Sequence, residues 1–148
     1  MARHVFFSFH YQHDIWRVNQ IRNLGEIVGC ATAGFRDASL WEKQMHENQA
    51  AIRKRIDEGL YGTSVTVICI GAETAGRTFI DYEIEQSIAR GNGLLGLRIH
   101  MLKNQYGKTD PPGPIPARLI EADVPIYDYT SHTKLKEYIE QAARRAGR

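Results

Sequence analysis

Ser64-Val65-Thr66-Val67-Ile68-Cys69-Ile70 is a near-continuous run of β-branched and apolar residues, and it leads directly into the turn Gly71-Ala72-Glu73-Thr74-Ala75-Gly76. A run of this length without polar alternation reads as a strand buried on both faces, at the centre of a parallel sheet. The turn after it is of ligand size. Downstream, Phe79, Ile80, Ile84 and Ile88 recur at helical spacing, so a helix is predicted from about Arg77 to Arg90, stopped by Gly91-Asn92-Gly93. Leu94 to His100 is the next strand. Upstream, Ser39 and Glu42 form a capping box for a helix running to Glu58, with Met45, Ile52, Ile56 and Leu60 as its buried line and Gly59 at its end.

The same pattern extends to both ends. His4 to Phe9 is short, aromatic and β-branched, a buried strand. Asp14 is placed to cap a helix to Leu24, with Ile15, Val18 and Ile21 inward and Gly25 as the stop. Ile27 to Phe35 is weakly patterned; part of it is a second strand, and Ala33 to Asp37 is a loop. Four of the five prolines fall between Pro111 and Pro116, so Lys103 to Arg118 is an irregular surface excursion. Val124 to Tyr129 is the last strand, and Leu135, Tyr138, Ile139 and Ala142 line the last helix. Strands alternating with helices predict a single α/β domain over residues 1–148: a five-stranded parallel sheet of order 2-1-3-4-5 with helices on both faces. In that order ligands bind beyond the carboxyl ends of strands 1 and 3, where the chain reverses direction. Phe9-His10-Tyr11 and Gly71 to Gly76 meet there.

Composition narrows the function. The chain has 148 residues, 43% of them hydrophobic, and its 19 Lys and Arg against 17 Asp and Glu leave a net charge of +2. Scattered basic residues with so small a surplus predict neither a nucleic-acid nor a membrane partner. Arg144, Arg145 and Arg148 read as a solvated helix end. No apolar run approaches the roughly 20 residues of a membrane span, and the first eight residues are too short for a secretory signal, so the expected location is the cytoplasm. Cys30 and Cys69 sit among apolar neighbours and read as small buried residues. The strand ends exclude two common uses of this architecture. Ser8-Phe9-His10 and Cys69-Ile70-Gly71 lack the acids of a phosphoacceptor receiver, and no Ser/Thr/Gly-rich flavin-phosphate loop follows strand 1.

Longer blocks carry a resemblance. Phe6-Phe7-Ser8-Phe9-His10-Tyr11-Gln12-His13-Asp14-Ile15-Trp16-Arg17-Val18-Asn19-Gln20, Gly62 to Val67, Ile70 to Ala75, Asp81-Tyr82-Glu83-Ile84-Glu85 and Gly91 to Gly96 resemble the TIR-like domain of Thoeris antiphage proteins, the ThsB type. The resemblance covers nearly the whole chain. It implies a flavodoxin-like TIR fold and an enzyme that cleaves NAD⁺, as substrate and not as cofactor, at the nicotinamide glycosidic bond. It also implies a diffusible ADP-ribose-derived messenger, commonly cyclic, for a ThsA-like effector, with a phage-derived trigger and homo-oligomerisation on activation. By position, Phe79-Ile80-Asp81-Tyr82-Glu83 matches the segment in which TIR NADases carry the catalytic glutamate, pointing to Glu83. Phe79 stands where many relatives have Trp. Phe9 matches the aromatic that ends the first strand, and Phe35 to Trp41, with Asp37 between them, occupies the place of the loop that closes over the nucleotide.

The chemistry is compatible. Loss of nicotinamide develops positive charge on the ribose, which a carboxylate stabilises, and the leaving group departs neutral without a general acid. Ser8, Phe9, His10 and Tyr11 form the expected lining, with the rings of Phe9 and Tyr11 against nicotinamide or adenine and Asp14 or His10 at ribose hydroxyls. No metal is required, and His10 with His13 lacks the companion ligands of a metal site. His13 is expected in solvent, Phe6, Phe7 and Trp16 in the core, and Arg77 in a surface pair with Asp81. Trp41 fits core and site equally. The alternative function is a non-catalytic TIR-like module that works by self-association.

Overall fold

The computed structural model describes residues 3–21, 27–31 and 49–148. Five strands, β1 (Arg3–Ser8), β2 (Ile27–Ala31), β3 (Val65–Ile70), β4 (Gly93–Arg98) and β5 (Ile126–Asp128), alternate with helices. The helices are α1 (Tyr11–Val18), α2 (Gln49–Leu60), α3 (Thr78–Ala89), α4 (Ala117–Glu121) and α5 (His132–Arg145). All pairings are parallel. β1 lies beside β3, with Ser8 opposite Ile68, then β4 and β5 follow, and β2 flanks β1, giving the order β2-β1-β3-β4-β5.

Every residue of β3 is buried, as its unbroken apolar run requires of a strand covered on both faces. Ile68 and Ile70 pack with Ile80 and Ile84 of α3 and Leu119 of α4, and Thr66 bonds Ser87 of α3 at 2.7 Å on the same face. Val65, Val67 and Cys69 join Leu135, Ile139 and Ala142 of α5 in the larger core cluster. Ile52, Ile56 and Leu60 of α2 are fully buried as expected. The Tyr82 hydroxyl then ties α3 to α2 by donating to Asp57 at 3.0 Å.

Several expectations are corrected. Asp14 does not cap α1: the helix starts earlier, with His10 as its cap, whose Nδ1 accepts from the His13 amide at 3.1 Å. Asp14 is thereby turned inward. The described part of that helix ends at Val18, short of Leu24. Gly59 lies inside α2, which runs on to Leu60. Ile88 and Trp16, read as inward, are 49% and 53% exposed: Ile88 falls at the edge of the buried stripe of α3, and Trp16 on the face of α1 opposite Tyr11, Asp14, Arg17 and Val18. The proline-rich excursion leads into the short helix α4, which starts at Ala117 and is too brief for periodicity to reveal. Arg144, Arg145 and Arg148 are exposed, as read, and Arg148 in addition donates to the carbonyls of Arg90 and Gly91 at the end of α3. Met45, the Ser39–Glu42 capping box, the 33–37 loop, Phe35, Asp37 and Trp41 lie outside the described residues, as does the side chain of Cys30.

Candidate functional site

The carboxyl ends of β1 and β3 bring Ser8, Phe9 and His10 alongside Gly71 to Gly76, and α3 carries Glu83 to the same place. Glu83 is 1% exposed and Ser8 is fully buried. Glu83 Oε2 and Ser8 Oγ are both buried without a hydrogen-bond partner among the described residues. Desolvation pushes the Glu83 carboxyl well above its ordinary range, and the nearby Ser8 hydroxyl opposes the shift only in part. Native proteins seldom leave such groups unpaired, and where they do, a functional reason is the first to seek.

Aromatic residues close one side. Phe9 and Tyr11 are each 4% exposed and stack on one another, with centroids 5.7 Å apart, and both pack in the core cluster with Phe79. His10 is half-buried. Because its Nδ1 accepts a backbone proton, its ring presents Nε2–H as a donor. Burial, followed by the positive charge of Arg77, lowers its pKa and so favours the neutral ring. Arg77 itself donates to the Glu73 carbonyl at 3.3 Å, and Glu85 pairs with Arg118 of α4.

Asp14 is fully buried beneath the turn. Its Oδ1 accepts from Arg17 Nη1 at 3.2 Å, its Oδ2 is unpartnered, and a Cβ placed on Gly71 would overlap the carboxylate. Only glycine admits this approach. Desolvation raises Asp14 to about 6, opposed by His13 and Arg17 and assisted by Asp110. His13, expected in solvent, instead contacts Asp110 through Nε2 at 2.7 Å and Glu73 through Nδ1 at 2.9 Å. Sequence reading missed both Asp110 and the inward role of Arg17. The signal was weak: one arginine in a polar helix and one acid 93 residues away. Ligand atoms of His13, Asp14 and Asp110 lie within 4.8 Å of one another, a grouping that could hold a cation. Arg17 Nη1 supplies that charge, 3.0 Å from Asp110 Oδ2.

A TIR-type α/β architecture with a carboxyl sealed beside the first strand matches a known family. The family model described as "Thoeris protein ThsB, TIR-like domain" matches residues 6–104, more than half of the chain. The chain belongs to this Thoeris ThsB TIR-like family. It is also 43% identical over 118 residues to a protein of Bacillus cereus (strain MSX-D12) bearing the name "Putative cyclic ADP-D-ribose synthase ThsB1". That alignment covers 78% of this chain and 62% of the relative's length. Among the described residues no helix is long and apolar enough to cross a membrane.

Proposed function

We propose that this chain cleaves the nicotinamide glycosidic bond of NAD⁺, with Glu83 as the catalytic carboxylate, on a five-stranded flavodoxin-like TIR scaffold. The product is an ADP-ribose-derived signal, cyclic where a nucleophile of the ADP-ribose itself and not water captures the ribose C1′. Nicotinamide leaves with the electron pair of the broken C–N bond, the new bond forms at C1′, and one proton is released. The observation that carries the reading is the buried, unpartnered Oε2 of Glu83 beside Ser8 at the sheet's switch point. Family membership and the name borne by the Bacillus cereus relative support it.

Burial biases the Glu83 carboxyl toward its neutral form. The cationic nicotinamide ring of an arriving NAD⁺ favours the ionised form, and the charge then passes to the ribosyl cation that Glu83 stabilises. Binding is therefore expected to shift Glu83 toward proton release, readable by calorimetry in buffers of different ionisation heat. His10 Nε2–H is placed to donate to a ribose or phosphate oxygen, and Phe9 and Tyr11 to flank a ring once they separate. Phe35, Asp37 and Trp41 are assigned to the closing loop on the family resemblance alone. The signal activates a ThsA-like effector after a phage-derived trigger promotes self-association in the cytoplasm.

The test is to incubate the protein and Glu83→Gln with NAD⁺, with and without lysate from infected cells, and identify products by mass spectrometry. An NAD⁺-derived product from the wild type alone is expected. Absence of product under both conditions refutes the reading and leaves self-association as the function.

A further inference from the structure

We propose that Asp110 is a positioning residue of the nucleotide site: from the proline-rich strap it fixes Arg17 and His13, and through them the Asp14 carboxylate that shapes the Gly71 turn. The inference rests on the function proposed above for its kinetic consequence alone.

The strap is fastened to α1 at several points. Arg17, 1% exposed, donates through Nε to the Leu102 carbonyl at 2.7 Å and through Nη2 to the Lys108 carbonyl at 3.1 Å. Gln20 donates to the Lys103 carbonyl at 2.6 Å. Asp110 Oδ2 receives both His13 Nε2 and Arg17 Nη1, and the same Nη1 reaches Asp14 Oδ1. One nitrogen is thus shared between a carboxylate of the strap and a carboxylate of α1.

The turn lies between these elements. From the α1 side, Asp14 abuts Gly71. From the strap side, Gly113 seats on the Gly71 carbonyl and on Ala72 so closely that a Cβ there would overlap both. The turn's own bonds, Gly71 N–H to Thr74 Oγ1 at 2.8 Å and Thr74 Oγ1 to the Cys69 carbonyl at 3.3 Å, hold it in the shape that leads into α3 and Glu83. A buried guanidinium between two carboxylates costs desolvation that apolar packing would avoid, so such a device is better suited to fixing geometry than to adding stability. The strap from residue 105 onward lies beyond the 6–104 stretch that defines the family match.

The experiment compares the full chain with Asp110→Asn, the milder His13→Gln, and Ile56→Val as a core control, each at a temperature equally far below its own Tm. Hydrogen exchange is read at residues 71–76 and NAD⁺ turnover as KM and kcat. Asp110→Asn should speed exchange of the turn and raise KM by roughly tenfold each, the order expected for losing a charge-assisted hydrogen bond, with kcat changed less than KM. His13→Gln should move both in the same direction by less, and Ile56→Val neither. If exchange rises only within residues 100–116, or the turn loosens while KM stays at the wild-type value, the positioning role is overturned. A wild type that neither binds nor cleaves NAD⁺ refutes the function instead. Exchange at 71–76 then still decides whether Asp110 sets the turn.

Discussion

Asp14 and Glu83 are two carboxyls both sealed from solvent, within reach of the same Cys69, and treated differently by their surroundings. Around Asp14 the chain supplies an arginine, a histidine and a second acid, and the carboxyl rises only to about 6. Around Glu83 it supplies a serine hydroxyl, and the carboxyl rises well above its ordinary range. Burial is the first cause in both cases and is deeper around Glu83, and the missing compensation there adds to the difference. A carboxylate that must hold a turn in shape is given a fixed counter-charge. On the function proposed above, a carboxylate whose charge must appear with a cationic substrate is left without one.

The largest effect should come from removing the compensation. Arg17→Met leaves Asp14 and Asp110 facing each other without their shared cation, and breaking a buried pair from one side costs about 3–5 kcal/mol. Urea unfolding at pH 7 measures it, and a loss below 1 kcal/mol would mean that the arginine does not offset the burial of Asp14. Glu83→Gln should cost turnover about 10²- to 10³-fold, as removal of one electrostatic contact to a developing charge does. Stability should move the opposite way. Because the folded pKa of Glu83 lies above its unfolded value, folding pays for its burial only at pH values where the unfolded carboxyl is ionised. The glutamine variant should therefore match the wild type near pH 4 and exceed it increasingly as pH rises. Thermal scans across pH read this, and a variant less stable than the wild type at pH 8 would contradict it.

The next effect separates the two sites by pH. Asp14 is raised from 3.8 to about 6, so the folded state binds the extra proton between those values and its stability contribution falls as pH rises through that window. A shift of that size corresponds to roughly 3 kcal/mol. Asp14→Asn should flatten this part of the stability curve, whatever its offset, and leave the rise of Glu83→Gln in place. Glu85→Gln should do least. Glu85 shares a helix with Glu83, but its partner Arg118 is half in solvent, and exposed pairs contribute about 0–1 kcal/mol. NAD⁺ turnover by this variant should equal the wild type's, and loss of activity here would transfer the catalytic role away from Glu83.

Reading residues in order was enough for the alternation of strands and helices, the central position of β3, the pairing of β1 beside it and the candidacy of Glu83. These follow from local signals, since apolar runs and helical spacing report burial one element at a time, and the family blocks are contiguous. What the sequence could not carry is the relation between distant segments. That His10 caps α1, and so turns Asp14 inward, depends on the geometry of one turn and not on its residue types. That Arg17 is buried, and that His13 answers to Asp110 across 97 residues, became visible only when the strap folded back over α1. A charged side chain in a polar helix carries the same local pattern whether it faces water or a counter-ion. Desolvation and pairing are properties of the folded surroundings, and tertiary structure alone decided which of these acids would stand compensated and which would not.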